Sequence, residues 1–197
     1  MTPLPTRFIE EVGKRTILRR TWQSDQPCHG YQGKHEATLA FPDRGLTDPD
    51  PTEGKSWATL PWSNVCDHCN EAAPDSADRS ISTSRTYNTT TGRPEPGDLY
   101  YRDFRYEGKC WCGWSNCDGF HLHAVLPTGD HWDIDSRASN CTMKDDGLHR
   151  CWVRHGDPRK GEPVHVDKNG LTCQAGAGSI VVPKWHGFLH SGLLVSC

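Results

Sequence analysis

Apolar positions along the chain change character near residue 98. Leu99-Tyr-Tyr-Arg-Asp-Phe-Arg-Tyr106 is aromatic and partly alternating, as a half-buried strand is. Phe120-His-Leu-His-Ala-Val-Leu126, Pro127-Thr-Gly-Asp130 and His131-Trp-Asp-Ile-Asp135 together read as a β-hairpin, with Gly129-Asp130 suited to the turn. His149-Arg-Cys-Trp-Val-Arg154 and Pro163-Val-His-Val-Asp167 are two more strands. Asn169-Gly170 predicts a tight turn into Leu171-Thr-Cys173, and Ser179 to Val182 and Phe188 to Val195 complete the set. Roughly five to eight short antiparallel strands with little helix make residues 98–197 a β-rich domain.

The first 97 residues read as a loop-rich region with short strands or one helix. Between Phe8 and Trp22 the pattern leaves a helix and a strand pair open: Gly13 costs a helix about 1 kcal/mol, while Arg15 to Trp22 alternates loosely. From Phe41 to Trp62, Pro42, Pro49, Pro51 and Pro61 repeatedly fix φ and remove donors, which predicts an extended loop. Residues 71–97 are rich in Ser, Thr, Asp and Pro and predict a loop or disorder. No repeat of 20–50 residues is present.

Composition narrows the picture. Only 34% of the 197 residues are hydrophobic, low for a single large core, and ten are cysteine. Lys and Arg number 22 against 25 Asp and Glu, so no basic excess points to nucleic acid. No apolar run is long enough for a membrane helix, and the first residues lack the apolar stretch of a secretory signal. The expectation is therefore a small antiparallel β-rich fold stapled by disulfides or zinc.

Three groups of residues carry candidate chemistry. Cys66-Asp-His-Cys69 has the spacing of a knuckle in which two thiolates chelate one metal, with a second ligand pair that must come from elsewhere, but a lone CxxC reads first as two structural cysteines in a loop or as half of a disulfide. Cys110, Cys112, Cys117, His121 and His123 place five zinc-type donors within a short run. On a strand, His121 and His123 share a face, and Gly113 and Gly119 permit the turns that return the thiols to it. A disulfide among these cysteines is the competing reading. Cys141, Cys151 and Cys173 lie at strand ends and read as structural, and the Asp145-Asp-Gly147 turn favours a Cys141–Cys151 bridge, with a metal crosslink or plain buried thiols as the alternatives. Asp133 and Asp135 share a face near the histidine strand and suit a His/Asp site or plain capping. Gln174 to Ser179 is glycine-rich but lacks the Lys-Ser/Thr of a phosphate loop. No nucleophile elbow, HExxH, kinase set or dinucleotide fingerprint occurs, and no catalytic residue is assigned.

The run from His121-Leu-His through Trp132-Asp-Ile-Asp-Ser-Arg, His149-Arg-Cys-Trp-Val-Arg-His-Gly156, Val164-His-Val-Asp-Lys168, Thr172-Cys-Gln-Ala-Gly-Ala-Gly-Ser-Ile180 and His186-Gly-Phe-Leu189 resembles uncharacterised tailed-bacteriophage proteins. These share a C-terminal Cys/His-rich β-module, and the resemblance covers about residues 99–192. It implies a phage origin and a small β-fold pinned by cysteines or zinc. It implies no known reaction, and two function classes follow, the first a non-enzymatic virion component (decoration, neck, collar, tail or baseplate). Such a protein is made in the host cytoplasm and docks in multiple copies or as a homo-oligomer on other virion proteins. The alternative is a phage-encoded intracellular zinc protein. That protein is either a metal-dependent hydrolase using His121, His123 and an Asp, or a host-directed binding module.

Overall fold

The computed structural model describes residues 2–26, 28, 33–106, 109–110, 112, 117–138, 141–143, 145–168 and 179–197. The Asn169-Gly170 turn, Cys173, Gly113 and residues 174–178 of the glycine-rich loop lie outside the described residues. Among the described residues no helix is long and apolar enough to cross a membrane. The chain is mainly β and forms two compact units, residues 1–10 with 89–197, and residues 11–88.

In the 11–88 unit, alternation decides the region that the sequence leaves between helix and strand. Thr16, Leu18, Arg20 and Trp22 turn inward and Arg15, Ile17, Arg19 and Thr21 outward, which is strand period, and Glu11–Trp22 is one strand of 12 residues, β3. Antiparallel β4 (His35–Ala40) lies on one side of it and β5 (Asp78–Tyr87) on the other. β5 corrects the reading of 71–97 as a loop. It is a polar, largely exposed edge strand, held to β3 by backbone pairing from Thr21↔Asp78 to Glu11↔Tyr87, so its composition carries no buried face to read. The Pro-rich 41–62 segment is loop, as expected, apart from one 3-10 turn at Trp57–Thr59. Arg15 anchors it by paired bonds to Asp43, and Arg44 and Thr16 both bond to Asp50. The apolar centre of this unit is small: Trp22, Ala37, Cys66 and Ala77, with Cys28 and Ala73 against them.

The other unit is discontinuous. Its first ten residues supply β1 (Leu4–Pro5) and β2 (Arg7–Phe8), which pair with strands far along the chain. β2 runs parallel to β6 (Asp98–Asp103). β6 in turn pairs with β9 (Phe120–Val125), and β9 with β10 (His131–Asp133), giving the sheet order β10-β9-β6-β2. The expected hairpin is thus present, turning through Pro127 to Asp130. A short ribbon pairs β7 (Arg105–Tyr106) with β8 (Lys109–Cys110). β11 (Trp152–His155) pairs with β12 (His165–Lys168). A second four-stranded sheet has the order β1-β15-β14-β13, from β13 (Ile180–Val182), β14 (Trp185–His190) and β15 (Leu193–Ser196). Leu99, Leu122, Ala124, Leu126, Ile134, Val164, Val166, Ile180, Trp185, Leu189 and Leu194 meet in one core. The domain that begins at 98 in the sequence therefore also includes residues 1–10, because Leu4 and Phe8 pack on that core.

Candidate metal centres

None of the nine described cysteines is in a disulfide. They are instead gathered with histidines into three groups, within each of which all the donor atoms lie within 4.8 Å of one another. Cys28 Sγ and Cys66 Sγ are 3.6 Å apart. A disulfide requires about 2.05 Å. Two donors bound tetrahedrally to one ion at about 2.0–2.3 Å stand about 3.3–3.8 Å apart. The observed separation has the second length.

The first group is Cys28, His35, Cys66 and Cys69, in the 11–88 unit. The knuckle is built by backbone. A bridge between Val65 and Ala72 closes it, Cys66 N–H donates to Glu71 O, and Asn70, with φ at 62°, turns the chain so that its N–H donates to Cys66 O. Burial pushes the Cys66 thiol up, but backbone N–H groups of His68, Glu36 and Cys69 and the His35 ring outweigh it and bring it down to about 6. Thiolate is the ligand form. His35 opens β4 and is 1% exposed. Its Nδ1 faces Cys69 Sγ at 3.3 Å, while Nε2 lies 3.0 Å from Ser24 Oγ and 3.1 Å from Gln26 O. The outer partners take the Nε2 proton and leave the Nδ1 lone pair for the metal. Trp22 stacks on the ring at 5.3 Å and bonds Glu71 through its indole N–H. Cys28 and His35 are the second ligand pair for which the sequence offered no candidate; Cys-x6-His was the available signal.

The second group is Cys110, Cys112, Cys117 and His121. His121 Nε2 is 3.5 Å from both Cys110 Sγ and Cys117 Sγ. His121 Nδ1 lies 3.2 Å from Asp133 Oδ2, the carboxylate–histidine arrangement that fixes a ligating ring. Burial works against charge on His121, and the Asp133 bond and neighbouring thiols overcome it, raising the ring to about 9. Burial pushes the Cys117 thiol up to about 12, and Gly119 N–H donates to its sulfur at 3.4 Å. His123 shares the face of His121, as alternation required, but is not a fifth donor. Its ring lies between Tyr100 and Phe104, at centroid distances of 5.4 and 5.7 Å, and neither nitrogen has a hydrogen-bond partner. Burial lowers it to about 4, keeping it neutral. Asp135 is not a ligand: it accepts Leu122 N–H and pairs with Arg154.

The third group is Cys141, His149 and Cys151, all buried. The expected Cys141–Cys151 bridge is absent. The Asp146 turn does fold the chain back, through His149 N–H to Asp146 O and Leu148 N–H to Asp146 Oδ1, but it delivers His149 beside the thiols. His149 Nε2 is 3.6 Å from Cys151 Sγ, and Met143 N–H donates to Cys141 Sγ at 3.4 Å. Arg137 clamps the loop through the carbonyls of Met143 and Asp146. A cavity of about 540 Å³ is lined in part by Asp133, the partner of His121, and by Trp152, which packs against Cys141 and Cys151. Cys197 is exposed and belongs to none of the three.

No protein-family model, curated protein or solved structure matches the chain.

Proposed function

We propose that this chain is a zinc-stapled, non-enzymatic binding protein that docks as a component on a larger phage assembly. The observation that carries the zinc reading is the closure of four thiol and imidazole donors around one point in two separate places. Zinc is the ion for such Cys3His sets, and four protein ligands leave no position for a substrate or an attacking water. The histidine pair on which a hydrolase would depend is split, His121 in a thiol-rich centre and His123 shut between aromatic rings. The apolar clusters around Cys28 and Cys66 and around Cys141 and Cys151 are small, which supports a metal staple in place of hydrophobic mass.

Docking on a particle rests on the resemblance to phage proteins and on Val181 and Phe188, two large apolar side chains left exposed on the β13–β14 pair. A specific observation favours a second reading, an intracellular zinc-binding module directed at a host partner. Reduced cysteines paired with histidine belong to a reducing compartment. Quantitative mass spectrometry of purified particles and of infected-cell lysate separates the two. Stoichiometric recovery in particles supports the first, and recovery confined to lysate supports the second. Elemental analysis of the purified protein tests the shared basis, with two to three equivalents of zinc expected from the three groups. A zinc-free, folded protein overturns both.

A further inference from the structure

We infer that the cavity beside Trp132 and Trp152 takes an extended peptide segment, which adds as a strand to the open edges of β10 and β13. This gives a contact chemistry to the docking role proposed above and rests on that role, but not on zinc or on a phage particle. β10 and β13 are the outermost strands of their two sheets among the described residues, and both border the cavity of about 540 Å³. His131, Trp132 and Asp133 all line it, as do Ser179, Ile180 and Val181. Neighbouring side chains of a strand point to opposite faces. Three consecutive residues on one cavity therefore place it along the strand's edge and not over one face.

The register fixes which backbone groups face outward. Cys197 N–H donates to His186 O, so His186 turns its backbone groups toward β15. Val181, opposite His186, directs its own N–H and C=O away from β14, to the open edge. On β10, Leu126 N–H donates to Asp130 O and Ile134 N–H to Leu122 O, and His131, between these bonded positions, likewise directs its N–H and C=O outward. A peptide main chain is the ligand whose donors and acceptors alternate at the spacing such edges present. Each edge is three residues long, about 10 Å at about 3.3 Å per residue, which suits a segment of a few residues. Trp132 and Trp152, edge to face with centroids 5.4 Å apart, form an apolar wall with Ile180 that seats an apolar side chain of the incoming strand. The charged groups of the lining are engaged within the chain, Arg137 by the Met143 and Asp146 carbonyls and Asp133 by His121 and the Asp135 N–H. Recognition there falls to backbone pairing and apolar contact.

The test selects a random octapeptide display library on the full chain as purified and measures the enriched peptide, made synthetically, by calorimetry. Enriched sequences are expected to alternate apolar and polar residues, and hydrogen exchange should slow at the Val181 and His131 amides in the complex. Val181→Pro removes the outward N–H and leaves the bonds to β14, a change that edge positions tolerate. It should keep the melting temperature and weaken the peptide about tenfold or more, while Val181→Thr, which changes only an exposed side chain, binds as the wild type does. Methylating alternate backbone amides of the peptide should abolish binding to the wild type, and this decides the matter if Val181→Pro folds poorly. No enriched peptide, binding indifferent to amide methylation, or protection confined to another surface overturns the site. A wild-type dimer that Val181→Pro converts to monomer assigns the edge to a second copy and overturns it too. Recovery in particles is measured independently, so failure here is distinguishable from failure of the docking role.

Discussion

Asp133 gives the most direct measure of how the second centre is built. Its Oδ2 holds His121 Nδ1 at 3.2 Å, and its Oδ1 accepts the Asp135 backbone N–H at 3.1 Å. The imidazole is only 4% exposed and the carboxylate 21%, so water screens the contact little. Outer-shell partners of this kind account for about 10–100-fold in metal affinity, or about 1.4–2.7 kcal/mol. Asp133→Ala should weaken zinc binding by that factor at one centre only. Asp133→Asn keeps an acceptor for Asp135 and should fall between the alanine variant and the wild type. Competition against a chromophoric chelator resolves the equivalents, and the Cys28/His35/Cys66/Cys69 centre serves as the internal reference. If Asp133→Ala left every equivalent within twofold of wild type while Cys117→Ser removed one, the assignment of Asp133 as the partner that orients His121 would be refuted.

Chelation under native conditions should lower the melting temperature by roughly 10 °C or more, at about 2–4 °C per kcal/mol for a chain of this size, while reductant alone leaves it unchanged. A drop with reductant alone would point to disulfides. Leu122→Ala, at a fully buried position on β9, should cost about 2–5 kcal/mol in urea unfolding; a loss under 1 kcal/mol would mean that this core is loosely packed. A Cβ at position 187 would lie 2.2 Å from Val195 O and 2.3 Å from the Trp185 ring, so Gly187→Ala should destabilise by about 1–3 kcal/mol and lower the yield of folded protein. The Arg15 hydrogen bond and charge hold Asp43 below the usual carboxylate range. That contribution is present above the unfolded value of about 3.9 and is lost as pH falls through the lower folded value. Melting curves from pH 6 to pH 3 should therefore fall less steeply for Asp43→Asn than for the wild type.

The sequence made parts of the second half legible. β14 alternates strictly between buried and exposed positions, as a half-buried strand does, whereas β9 is buried from His121 to Val125 and was legible through the turn at Pro127–Asp130 that follows it. It failed at β5, where Ser80, Ser82 and Ser84 pair with β3 through backbone alone and leave no apolar trace. It also failed at residues 1–10, since a two-residue strand such as β1 is defined by its distant partner and not by its own pattern. The metal groups were half visible. Cysteine spacing drew attention to Cys66, Cys69, Cys110, Cys112 and Cys117, but His35 and His149 are single histidines whose meaning depends on where the fold carries them. Local spacing overvalued His123, which shares the correct face and is sealed between rings.

The pairing of Leu4 with Leu194 has a consequence for how the protein is made. β1 leaves the ribosome long before β15 and cannot find its strand until β15 follows it out. At about 5–20 residues per second, that wait is on the order of ten to forty seconds. The 11–88 unit has no such delay: Glu11 lies opposite Tyr87, so the segment closes on itself as soon as its last strand emerges. All four donors of its metal group, Cys28, His35, Cys66 and Cys69, are by then already translated. On the zinc reading proposed above, the nascent chain would be able to capture an ion there while the larger unit is still incomplete, and metal scarcity would be felt early in synthesis, before most residues of the larger core exist.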